Sequence, residues 1–162
     1  MSKSPDSKFT SSPLLSWDIF INSYQKKMAF AGDYQSLTKL SIKNKWMDDW
    51  DIETKLFREE KVIIVTNTIL HIAFASSNVY EMNGYTPKEL IGKTPKIFQG
   101  AATSTETLSI VNSAIHTRKP FDVSVMNYKK NGDTYKCRIK GYPVFSKSRE
   151  LVNYIAFENV YD

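Results

Sequence analysis

The dipeptide Asn131-Gly132 lies between two runs of alternating character, Phe121 to Tyr128 and Thr134 to Val144. Asn-Gly is a strong turn signal between strands, so the two runs are predicted to fold back on each other as an antiparallel hairpin. Neighbours along a strand point to opposite faces. Val123, Val125 and Asn127 therefore share one face of the first run. On the second run Tyr135, Cys137 and Ile139 share a face, and Lys136, Arg138 and Lys140 point the other way, as charged groups facing water should.

The rest of the chain supplies more elements around this hairpin. From Lys61 the pattern is stranded: Val62 to Thr68 and Leu70 to Ala75 read as two strands rich in β-branched residues. Asn78 to Ile91 reads as two short helices, the second opened by Thr86-Pro87, since proline suits the first helical turn. Thr103 to His116 reads as a longer helix carrying Leu108, Val111 and Ile115, and Leu151 to Val160 as a final strand. Before Lys61 the spacing is helical. Leu14, Trp17, Ile21, Tyr24 and Met28 fall three and four apart, on one stripe of an amphipathic helix. Gly32 is a predicted stop, Asp33 a predicted cap for a second helix through Tyr34, Leu37 and Leu40, and Trp46 to Phe57 a further helical stretch. Residues 1–12 are polar and Ser-rich, and are expected to be disordered. The chain thus divides into a tail (1–12), a helical extension (13–58) and an α+β domain (59–162).

Charge and cysteine content narrow the function. The net charge of +5 falls wholly after residue 60, because residues 1–60 hold nine basic and nine acidic side chains. A paired-helix DNA reader needs a basic face that this neutral extension lacks, so nucleic acid is disfavoured as a partner. One cysteine, Cys137, excludes an intrachain disulfide. The most apolar run, Val62 to Ala75, is interrupted by polar residues and falls far short of the ~20 residues of a membrane span. These features predict a cytoplasmic protein without a membrane partner. His71 and His116 have no metal-ligand spacing, and no nucleophile-elbow motif or other catalytic constellation emerges, so no enzyme is expected.

The segment Asn78, Gly84, Tyr85, Thr86, Pro87, Glu89, Leu90, Ile91 followed by Gly92 to Gly100 resembles the entry half of a PAS domain, and most closely its light-oxygen-voltage (LOV) branch. The element order, two strands, helices and three strands, is also that of PAS domains. The resemblance implies a five-stranded antiparallel sheet with helices on one face, closing a small-molecule pocket. Gly92, Gln99, Gly100 and Thr103 match the LOV pattern, but Thr94, Pro95 and Lys96 stand where that branch has Asn, Cys and Arg.

Extended along the sheet, the resemblance places Asn127, Cys137 and Glu158 on the flavin-facing side, and makes Thr94, Lys96, Gln99, Asn127, Cys137 and Glu158 the candidate ligand-binding residues. Gln99 and Asn127 match the amide contacts of the family. Thr94, Cys137 and Glu158 depart from them, and a phosphate-binding arginine of the family falls near Asn112, which is uncharged. Each lost contact costs about 1 kcal/mol. Glu158 is the gravest change, since an ionised carboxylate cannot donate to flavin acceptors. Pro95 has no nucleophile, so the family's cysteinyl adduct cannot form there. Cys137 is expected to act as a small buried hydrophobe instead.

Strands apolar on both faces are covered on both faces, as in Val62 to Val65 and at Ile155 and Phe157. The cover is expected to be the N-terminal stripe or a second copy of the chain. The predicted function is a non-enzymatic PAS sensory and interaction domain that acts as a homodimer or with a signalling partner and takes a small ligand of unassigned identity. The alternative is a flavin (FMN) photosensor without an adduct, working through photoreduction by a nearby Tyr or Trp.

Overall fold

The computed structural model describes residues 13–161, and the side chains from Ser16 onward; the expected tail, 1–12, and the side chain of Leu14 lie outside the described residues. The first element is one helix, α1 (Pro13–Lys43), followed by a short α2 (Ile52–Phe57). Next come β1 (Val62–Thr66), β2 (Ile72–Ala75), α3 (Val79–Asn83), α4 (Pro87–Leu90), a 3-10 turn at Pro95–Phe98, and α5 (Thr105–His116). Three long strands complete the chain: β3 (Phe121–Tyr128), β4 (Thr134–Phe145) and β5 (Leu151–Val160). All pairings are antiparallel, and the strand order is β2-β1-β5-β4-β3.

The hairpin forms in the register its alternation requires, with Val125 opposite Cys137 and Asn127 opposite Tyr135. Its loop, residues 129–133, places Gly132 at φ 94°, where a side chain would be strained. Thr86 and Glu89 form a reciprocal capping box at the start of α4, with Pro87 in its first turn.

Two apolar layers flank the sheet. On one face, Val62, Ile64, Val125, Tyr135 and Cys137 pack with Val79, Met82, Leu90 and Phe98 from the short helices. On the other, Ile63, Val65, Ile155 and Phe157 are covered by Phe30, Leu37, Trp46, Ile52 and Leu56. The N-terminal extension thus belongs to the core.

Its internal layout departs from the sequence expectation in four ways. Gly32 does not stop the helix; it costs about 1 kcal/mol relative to alanine in a helix interior, which packing of the flanking Phe30 and Leu37 offsets. Asp33 caps nothing. Its carboxylate instead accepts from the Ser77 amide (2.8 Å) and hydroxyl (2.7 Å), joining α1 to the segment before α3. Trp46 to Phe57 is not continuous helix, because Trp46 forms an isolated bridge with Ser146 and its indole donates to Asn153 Oδ1 at 2.9 Å.

The fourth departure concerns the apolar stripe. Trp17, Phe20, Tyr24 and Met28 are 63, 61, 57 and 56% exposed, whereas Phe30 and Leu37 are 3 and 0% exposed. At 3.6 residues per turn, Trp17, Ile21, Tyr24 and Met28 lie on roughly the opposite side of α1 from Phe30, Asp33 and Leu37. The half of α1 that covers the sheet is the second half, and the stripe faces away.

Candidate functional site

Between the inner face of the sheet, the 3-10 turn and α5 lies a cavity of about 310 Å³, at the small end of the range for ligand pockets. Its walls are chiefly apolar, with Ile64, Leu108, Val111, Val123 and Ile139 among them. Phe121, Val123, Val125 and Asn127 of β3 reach it as alternate residues, as pleating demands, together with Ile139 and Gly141 of β4 and Tyr154, Ala156 and Glu158 of β5.

Thr94, Lys96, Gln99, Asn127 and Glu158 all border this cavity, so the fold brings together five of the six candidate residues. Thr94 and Gln99 flank the 3-10 turn as its two caps. Pro95, at the start of that turn, also borders the cavity, and its ring offers no nucleophile. Asn112, on α5, lines the wall without bringing a charge.

Cys137 is not on the cavity wall. It lies on the predicted face of β4 but is fully buried among Val79, Met82, Val125 and Tyr135, because the short helices fill the space in front of it. Its Sγ lies 3.7 Å from Glu158 Oε2. Burial, reinforced by the nearby Glu158 carboxylate, pushes the thiol well above its ordinary pKa. It is a neutral, inert thiol rather than a nucleophile.

Glu158 is the cavity's one buried acid among the described residues. Loss of hydration pushes its carboxyl up to about 7, and the Cys137 hydrogen bond only partly opposes this. Tyr135 is likewise raised, chiefly by burial.

Two contributors were not singled out as site residues from the sequence. Tyr154 borders the cavity, and its hydroxyl donates to the Ile115 carbonyl at 3.0 Å. Thr66 Oγ1 is buried on the same wall with no hydrogen-bond partner. Strand alternation could have indicated both, since Thr66 pairs with Tyr154 and Tyr154 shares a face with Glu158.

The loop that carries the site is pinned from below. Thr103 Oγ1 donates to the Met126 carbonyl at 2.7 Å and accepts from the Gly100 amide at 3.0 Å. Gly100 is required here for room: a Cβ there would lie 2.5 Å from the Tyr128 ring.

A sheet of this order with a ligand-sized cavity between it and short helices defines a PAS-type fold. The PAS domain family model matches residues 60–159, and the chain belongs to that family. Protein TWIN LOV 1 of Arabidopsis thaliana is 33% identical over 88 residues, which are 54% of this chain and 22% of that protein. A blue-light-activated histidine kinase of Brucella anthropi is 29% identical over 97 residues, 58% of this chain and 20% of that protein. The chain therefore spans about a fifth of the length of these relatives. Among solved structures, the dark form of the Aureochrome1 LOV domain superposes with a TM-score of 0.64 at 19% identity, covering 71% of this chain and 86% of that one. The light-state dimer of the fungal photoreceptor Vivid gives 0.58 at 20% identity, covering 61 and 76%.

The fit of this wall to FMN is incomplete. Gln99 and Asn127 can serve a flavin ring edge, but Glu158 lies buried on the wall with a thiol as its side-chain partner, and Asn112 adds no charge for a phosphate. Among the described residues no helix is long and apolar enough to cross a membrane.

Proposed function

We propose that this chain is a non-enzymatic sensory and interaction module in which occupancy of the cavity biases the pairing of α1 with a second copy of the chain. Thr94, Lys96, Gln99, Asn127 and Glu158 serve as the ligand-facing polar set, with Cys137 supporting Glu158 from behind. The observation that carries the reading is the two-sidedness of the sheet. Ile64 faces the cavity while its neighbours Ile63 and Val65 pack under Phe30 and Leu37 of α1. A ligand that shifts the sheet must therefore shift α1, by as much as its affinity differs between the two arrangements.

The partner is a second copy because the exposed stripe of α1 is a narrow apolar seam at heptad-like spacing, suited to pairing with its own equivalent. Sedimentation of the full chain tests this. The intact protein is expected to be a dimer, and Trp17→Glu with Tyr24→Glu a folded monomer whose melting temperature no longer depends on protein concentration. A monomeric wild type would remove the pairing role.

Flavin remains the second reading, favoured by Gln99, Asn127 and the phenol of Tyr154 on the wall. It requires that the purified protein be yellow or take up added FMN. A colourless protein that leaves added FMN free would reject it.

A further inference from the structure

Glu158 sets a condition on whatever enters the cavity. It is 5% exposed, it borders the cavity, and among the described residues the weak thiol of Cys137, 3.7 Å away, is the sole donor to its carboxylate. None of the described ion pairs involves it. A buried carboxylate so poorly partnered is costly, and two parallel N–H donors are the arrangement that best satisfies one.

Thr66 Oγ1 is also buried on this wall without a partner. Val62 pairs with Glu158 and Thr66 with Tyr154, so Thr66 and Glu158 are separated by four residues of sheet, about 13 Å. Apolar side chains, including Ile64 and Val123, lie on the wall with them. A flat, fused two-ring molecule with a hydrogen bond at each end spans such a slot. Asn127 and Gln99, each a donor and an acceptor, can serve its carbonyl and ring nitrogens.

We propose that the cavity selects a fused heteroaromatic of the 2-aminopyrimidin-4-one type, such as a pterin or a guanine ring, whose ring N–H and amino N–H donate side by side to the Glu158 carboxylate. The inference rests on the reading of the cavity as the ligand site. The chemistry discriminates against a flavin edge, in which a single N–H stands between two carbonyl oxygens. Those oxygens repel a carboxylate. They suit a primary amide, which can both donate and accept.

Pterin and lumazine are the probes, because they share a ring system and differ in an amino group against a carbonyl at the 2-position. Calorimetric titration of the full chain is expected to show pterin binding at least tenfold more tightly than lumazine. Glu158→Gln is nearly isosteric, and is expected to weaken pterin at least tenfold and strengthen lumazine, reversing the order. If the wild type binds both equally, or the order survives Glu158→Gln, selection by Glu158 is overturned while the cavity stands as a ligand site. If neither probe binds the wild type or the variant, the inference falls, and the failure of an unrelated flat probe, indole, to bind would take the cavity reading with it. The wild-type comparison of the two probes decides the matter even if the variant does not fold.

Discussion

Glu158 shows how one side chain ties stability to pH. Its carboxyl sits near 7 in the folded protein instead of the ordinary 4.5. The folded state thus holds the proton more tightly than the unfolded one. That contribution is fully present below about pH 4.5 and is lost as pH rises through about 7, a swing of about 3 kcal/mol. Denaturant titrations of the ligand-free protein at pH 5 and pH 8 should show this loss relative to Glu158→Gln, and parallel profiles for the two proteins would contradict it. Gly100 gives a second test. Gly100→Ala places a methyl group against the Tyr128 ring, and overpacking of this kind costs about 1–3 kcal/mol. Equilibrium unfolding should show that loss. Motif matching identified Gly100 and Glu158 as positions of interest, but the crowding at one and the thin partnering of the other arise from residues distant in sequence.

The helical extension was the least legible element. Its apolar spacing was correctly read as helix, and its stripe is real, yet the face that packs is the other one. A periodic pattern shows that a helix has an apolar side, and α1 has two, displaced along its length and round its axis. Which side meets the sheet is decided by contacts such as Asp33 with Ser77, and Asn44 and Trp46 with Asn153 Oδ1. Hydrogen bonds to a charged group contribute about 1.5–3 kcal/mol. Asp33→Ala should destabilise the protein by about that amount and speed amide hydrogen exchange in the second half of α1. Unchanged exchange there would show that Phe30 and Leu37 hold the helix without it. The strands were far more legible, because alternation and the Asn131-Gly132 turn specify register locally, and a slip of one residue would expose the whole inner face.

For the molecule as a whole, α1 plays two parts. Removing residues 1–28 takes away the exposed stripe and leaves Phe30, Leu37, Trp46, Ile52 and Leu56 in place, so a folded monomer is expected. Removing residues 1–58 strips those five side chains from the outer face of the sheet. Burial of each large apolar side chain contributes about 1.5–3 kcal/mol, so the longer truncation should unfold or aggregate. Circular dichroism and sedimentation of both truncations separate the two parts. A well-folded, soluble product of the longer truncation would show that the extension is not part of the core.

The order of the elements, the strand register and the absence of an adduct-forming cysteine at Pro95 could all be read from the chain, because each depends on neighbours a few residues apart. The depth of Cys137 behind the cavity, the poor partnering of Glu158 and the outward turn of the α1 stripe could not. They depend on which surfaces meet once α1, the short helices and the sheet have packed, and local sequence carries no record of those distances.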